Sequence, residues 1–133
     1  MDLTDKVVVV TGGSAGLGEQ VCYEAAKRGA IVVTCARRIN LIGQVRERCS
    51  ELSGKDAYAF QLDIADPDSV EVVIEKIAAE VGDVDVLVNN AGFGLFDNFV
   101  DFDLDVAKNM FEVNVLGIMY FTQKIAISMV NNK

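Results

Sequence analysis

The sequence predicts a doubly wound α/β fold, a parallel sheet with helices on both faces, and three observations carry that prediction. Short β-branched runs recur along the chain, amphipathic segments with helical spacing separate them, and a glycine-rich turn joins the first run to the first helical segment. Regular alternation of strand and helix calls for right-handed βαβ crossovers rather than hairpins, hence parallel pairing. The chain has 133 residues, of which 51% are hydrophobic, enough to bury the core of one domain. We read residues 1–133 as a single unit, with no internal repeat, low-complexity tract or linker.

The strand candidates are Lys6 to Val10, Ile31 to Thr34, Ala57 to Leu62 and Val84 to Val88, each too short for a typical helix. Between them, Leu17, Val21 and Ala25 define a first helix face. Leu41, Val45, Cys49 and Leu52 define a second, and Val70, Val73, Ile77 and Val81 a third. Gly29, Gly54 and Gly82 stand where C-terminal caps belong, and Asp66-Pro67 reads as an N-cap followed by a first-turn proline. From about Leu104 to Val130 one long helix is expected, with an irregularity near Asn114 and Gly117.

Composition removes several function classes. Acidic residues outnumber basic ones 20 to 12, and the net charge of -8 disfavours nucleic acid and anionic lipid as partners. No unbroken apolar run approaches the roughly 20 residues of a membrane span, and the N-terminus lacks the order of a signal peptide. A cytoplasmic location is the resulting expectation. The absence of histidine removes the commonest general base and transition-metal ligand, so no metal site is expected and Ser-His-Asp catalysis is excluded within these residues. Cys22, Cys35 and Cys49 show no C-x-x-C spacing and read as packed, reduced thiols.

The informative segment is Thr11-Gly12-Gly13-Ser14-Ala15-Gly16-Leu17-Gly18, set between the first strand and the first helix. Glycines there let a pyrophosphate approach a helix N-terminus, whose unpaired N–H groups and dipole favour negative charge. A P-loop is ruled out because Glu19, not Lys, follows the last glycine. The spacing is T-G-x-x-x-G-x-G rather than G-x-G-x-x-G. Three further motifs follow in order: Asp63-Ile64 after strand three, Asn89-Asn90-Ala91-Gly92 after strand four, and Phe111-Glu112-Val113-Asn114-Val115 in the long helix. Taken singly, Asp63 serves equally as a helix cap, Asn89 to Gly92 as a turn, and Asn114 as a solvated helix residue.

Together, and in this order, the motifs resemble the short-chain dehydrogenase/reductase family across the whole chain. The resemblance implies a Rossmann-like fold and a dinucleotide held by Gly12, Ser14, Gly16, Leu17, Gly18, Asn90, Ala91 and Gly92. It implies that Asp63 and Ile64 read the adenine, and that Asn114 belongs to a catalytic tetrad, holding a water in a proton relay. It also implies hydride transfer between nicotinamide and a carbonyl or alcohol substrate, and a homo-oligomer for the full-length protein. The family's Ser and Tyr-x-x-x-Lys would fall beyond Lys133, before which the chain is expected to stop, short of a fifth strand. These residues alone are therefore expected to be inactive and to associate. Tyr23 with Lys27 and Tyr120 with Lys124 match Y-x-x-x-K, but both pairs stand at the wrong place and arise simply because residues four apart share a helix face.

Cofactor choice turns on the end of strand two. An NAD-binding member of such folds carries an acidic residue there for the ribose 2′-hydroxyl, whereas here the segment reads Cys35-Ala36-Arg37-Arg38, with no acidic residue between Glu24 and Glu47. An Arg fork suits a 2′-phosphate, so the sequence predicts NADP(H) over NAD(H), with Arg37 and Ser14 contacting the 2′-phosphate and Arg38 as a further cofactor-binding residue. Solvated loop charges are the competing account of the two arginines. Phe93-Gly94-Leu95-Phe96 is apolar enough to line a substrate pocket or to pack beneath other structure. Two other functions compete: a catalytically silent dinucleotide-binding or interaction module, and a nucleotide-binding transferase such as a methyltransferase. Asn89 to Gly92 together with Asn114 argue against the latter.

Overall fold

The computed structural model describes residues 1–93 and 98–132. Its sheet has four parallel strands in the order β3-β2-β1-β4. The strands are β1 (Val7–Thr11), β2 (Ile31–Ala36), β3 (Tyr58–Gln61) and β4 (Val86–Val88). The expected doubly wound fold is present, with β3 and β4 shorter than their apolar runs. Val84 is buried ahead of β4 although it does not pair, and Asp85 takes the place of ladder bonds: its N–H donates to Val7 O while its carboxylate accepts from Val7 N–H at 2.9 Å.

Every residue of β1 is buried, and alternation along it feeds two cores. Val8 and Val10, with Val32 of β2, pack against α1 (Gly16–Lys27) and α2 (Ile39–Ser53) through Cys22, Ala25, Val45 and Cys49. Val7 and Val9, with Val33 and Cys35, pack on the opposite face against α3 (Pro67–Lys76) and α5 (Ile118–Asn131) through Val70, Val73, Phe121 and Ile125. Between them, α4 spans Leu104–Phe111. All three cysteines are free and buried, as expected.

Helix termini follow the punctuation in the sequence. Gly29 and Gly54 adopt positive φ just past α1 and at the end of α2, and Asp66 caps α3 by accepting from the Asp68 N–H at 3.0 Å. One helix face needs correction. The buried positions of α1 are Gly18, Cys22, Ala25 and Ala26, whereas Leu17 is 73% exposed. Leu17 lies in the first turn, and the close contact of Gly18 with the glycine turn places the buried stripe one residue onward.

The long helix is continuous from Leu104 to Asn131, and its expected irregularity is a π-helical segment at Glu112–Gly117. A Cβ on Gly117 would lie 2.3 Å from Ile64 O, so this glycine lets the helix approach the end of β3. By length and composition the 28-residue helix could cross a membrane, its most apolar window having a mean hydropathy of 1.3. No unbroken apolar run signals this in the sequence, because Asn114, Thr122, Gln123 and Lys124 interrupt the helix without lowering its average enough. Here Phe121 and Ile125 of that helix are buried against the sheet.

Candidate functional site

Strand order changes direction at β1: the chain passes from β1 outward to β2 and β3, then returns to place β4 on the other side of β1. Such a reversal opens a crevice at the carboxyl ends of the strands. A cleft of about 460 Å³ lies there. It draws Thr11, Gly12, Ser14 and Ala15 from the glycine turn and Cys35, Ala36, Arg37 and Arg38 from the end of β2. The end of β3 adds Leu62, Asp63 and Ile64, the turn after β4 adds Asn90, Ala91, Gly92 and Phe93, and the long helix adds Asn109 and Val113.

Nine of the residues singled out in the sequence therefore share one cleft: Gly12, Ser14, Arg37, Arg38, Asp63, Ile64, Asn90, Ala91 and Gly92. Gly16, Leu17 and Gly18 do not line it; they form the first turn of α1, directly after Ala15. Ala15 supplies no side-chain cap, so the first N–H groups of α1 have no capping side chain to satisfy them. Gly16 has φ +59 and no atom within 4 Å of where a Cβ would stand, leaving open space above the helix end. Gly18 is the reverse case, because a Cβ there would meet Gly12 O at 2.2 Å and Asn90 Nδ2 at 2.4 Å.

The Asn-rich turn is tied to the glycine turn by hydrogen bonds. Thr11 Oγ1 accepts from the Asn90 and Ala91 N–H groups at 3.2 and 3.1 Å, and Asn90 Nδ2 donates to Gly12 O at 3.1 Å. Asn89 Nδ2 donates to Thr122 Oγ1 at 3.0 Å, fastening the same turn to α5. Thr11 is fully buried, and its part in this network was missed in the sequence, although it is the first letter of the motif. Gly13 was missed too: a Cβ there would lie 2.1 Å from Thr34 Oγ1.

Asp63 does not cap α3, which Asp66 does. Its Oδ1 accepts from the Ala65 N–H at 3.1 Å, and its own N–H donates to Ser69 Oγ at 2.9 Å. The Arg37 carbonyl accepts from Gln61 Nε2 at 3.0 Å, fixing the end of β2 against β3. Both arginine side chains are exposed, and neither forms an ion pair among the described residues. Asn114 does not line the cleft. Its amide pairs with the backbone of Phe93, accepting from the N–H at 2.9 Å and donating to the carbonyl at 2.5 Å, and so pins the π-helical segment to the turn after β4. Of the apolar segment Phe93 to Phe96, Phe93 lines the cleft, while residues 94–96 lie outside the described residues.

Neither Y-x-x-x-K pair reaches the cleft. Tyr23 donates to Glu19 at 2.7 Å, and Lys27 pairs with Glu24. Tyr120 donates to Glu71, whose carboxylate also pairs with Lys124 at 3.1 Å, so that this pair joins α5 to α3. The hydrogen bond from Tyr120 and the Lys124 charge hold the Glu71 carboxyl below its usual range, while donating that hydrogen bond to a carboxylate raises the Tyr120 hydroxyl.

Comparison with known proteins agrees with this geometry. Residues 6–133 match the short chain dehydrogenase family model. The human dehydrogenase/reductase SDR family member 7 is 37% identical over 135 residues, an alignment covering 99% of this chain and 40% of the human protein. The NADP-dependent 3-hydroxy acid dehydrogenase of Schizosaccharomyces pombe is 33% identical over 125 residues, covering 92% of this chain and 48% of that protein. Among solved structures, L-sorbose reductase from Gluconobacter frateurii, complexed with NADPH and L-sorbose, superposes with a TM-score of 0.93 at 27% identity, over 99% of this chain and 50% of that one. The chain thus spans half or less of the length of these three proteins. With the family model matched from the first strand to the last residue, and the strand order and glycine turn in place, the chain belongs to the short chain dehydrogenase family.

Proposed function

We propose that this chain is the dinucleotide-binding half of an NADP(H)-dependent oxidoreductase acting on a carbonyl or alcohol substrate. The observation that carries the cofactor preference is the pair Arg37 and Arg38. They line the same cleft as the glycine turn, at the end of β2, and no carboxylate pairs with either among the described residues. A 2′-phosphate beside them gains charge-assisted bonds that a 2′-hydroxyl does not.

In this reading the pyrophosphate lies over the uncapped N-terminus of α1, in the open space above Gly16. Ser14 joins the arginines at the 2′-phosphate, Asp63 and Ile64 read the adenine, and Asn90, Ala91 and Gly92 line the path toward the nicotinamide. Asn114 keeps the turn after β4 in register with the long helix through its paired bonds to Phe93. Bound NADP(H) supplies the hydride donor or acceptor. None of the three tyrosines lines the cleft, so proton transfer is proposed only for the full-length polypeptide. The NADPH-bound sorbose reductase and the NADP-dependent yeast relative support this choice of cofactor.

The test is a titration of the full-length protein with NADPH and with NADH. NADPH is expected to bind more tightly, and Arg37→Asp to cost about ten- to a hundredfold in NADPH affinity while sparing NADH, as expected for a lost hydrogen bond to a charged group. Equal affinities for the two in the unsubstituted protein would overturn the preference. No binding of either would overturn the dinucleotide reading itself.

A further inference from the structure

One polar side chain in the cleft belongs to none of the sequence motifs. Asn109 lies on α4, one turn before Val113, and both line the cleft together with Leu62, Asp63 and Ile64. Leu62 and Ile64 are buried and Val113 partly so, which gives this end of the cleft apolar walls suited to a flat heteroaromatic ring. Asp63 has Oδ1 engaged by the Ala65 N–H, so its second oxygen is the one available to a ligand. The Asn109 side-chain amide has no hydrogen-bond partner among the described residues. Asn is also a poorer helix former than Ala or Lys, so an exposed helical position gives no local reason to favour it.

We infer that Asn109 is a second reader of the base, its Oδ1 accepting one N–H of adenine's exocyclic amine while Asp63 accepts the other. That amine carries two hydrogens, and a single carboxylate oxygen satisfies one. The apolar walls cover the ring faces only; Asp63 and Asn109 are themselves exposed, so at the ring edge an acceptor from the chain competes with water for the second hydrogen. Asn109 is the side chain on the helix side of the cleft that offers one. The inference rests on the dinucleotide reading above.

The experiment is a cycle of side chain against base, on the full-length protein. NADPH and the analogue whose base is unsubstituted purine are titrated against unsubstituted, Asn109→Ala and Asn109→Asp forms, following nicotinamide fluorescence. Asn109→Ala should weaken NADPH about three- to tenfold, the range of a single neutral hydrogen bond, and leave the purine analogue unchanged. Asn109→Asp, which keeps an acceptor, should retain the preference for the amine. Equal weakening of both ligands by Asn109→Ala, or no weakening of either, would overturn the inference while the dinucleotide reading stands. Failure of the unsubstituted protein to bind NADPH would remove both. Because Asn109 is exposed, an unchanged thermal midpoint is expected in both variants and separates loss of contact from loss of fold.

Discussion

Gly18 shows how a single hydrogen in place of a methyl group sets the position of the site. With Gly12 O and Asn90 Nδ2 both inside 2.5 Å of a would-be Cβ, Gly18→Ala must push α1 away from the glycine turn or break the Asn90 to Gly12 bond. We expect a loss of about 1–3 kcal/mol in stability, as for other overpacked sites, together with a marked fall in dinucleotide affinity. Denaturant unfolding and an NADPH titration check this, and an Ala variant with wild-type values for both would refute it. The thiols provide a second residue-scale test. Burial pushes Cys35 from a free thiol's 9.0 to about 12, and Cys49 is raised because its thiol donates to Cys22 and is buried. A group whose folded pKa is raised holds its proton longer when folded, so its contribution to stability is complete below about pH 9 and is lost as pH climbs toward 12. Because all three cysteines are buried, iodoacetamide at pH 8 should label none of them in the native protein, although the hydrogen bond from Cys49 lowers Cys22, and the contribution of Cys35 to stability should decline between pH 9 and 12; labelling ahead of unfolding would contradict the burial.

At the scale of elements, the outer face of α2 offers a contrast to α1. Gly43 lies within Ile39–Ser53, with no positive φ and nothing within 4 Å of the place a Cβ would occupy. Gly43→Ala should thus stabilise the protein by about 0.5–1 kcal/mol, visible as a raised denaturation midpoint; a lower midpoint would mean that this helix face is covered. The same contrast explains what could be read from sequence. Strands β1 and β2 were legible because Val-rich runs buried on both faces are distinctive, and the caps at Gly54 and Asp66 because αL geometry and an N-terminal proline have few other uses. Leu17 misled because hydrophobic spacing carries no information about a close backbone contact one residue away. Thr11 and Asn109 went unassigned for a related reason: their partners are 79 residues along the chain in the first case and a shared cleft in the second, and neither leaves a local pattern. The π-helical segment was anticipated only as an irregularity, since the approach of Gly117 to Ile64 O that accompanies it is a tertiary contact.

For the molecule as a whole, the two faces of the sheet are not equally finished. The side carrying α1 and α2 ends in Gly54 and a solvated helix surface, whereas the long helix leaves Phe111 65%, Leu116 53%, Met119 64%, Ile127 53% and Val130 68% exposed. Only 17% of the most apolar window of that helix is buried. Beside it, β4 pairs on one side alone among the described residues, with Val86 36% exposed on that edge. An apolar helix face and an unpaired strand edge on one side of a small protein favour association, because each buries area that water penalises and the edge presents unmatched backbone groups. A net charge of -8 opposes this only over the distance of a Debye length, about 8 Å in physiological salt. The 133-residue chain by itself should therefore self-associate, more strongly as salt screens that charge. Light scattering across a salt series measures it: growth in mass with salt is the expected result, and a monomer at every salt concentration would show that the exposed helix face is not adhesive. Met119→Lys, placed at the centre of that face, should reduce the association without altering the fold, since its side chain meets solvent rather than the core.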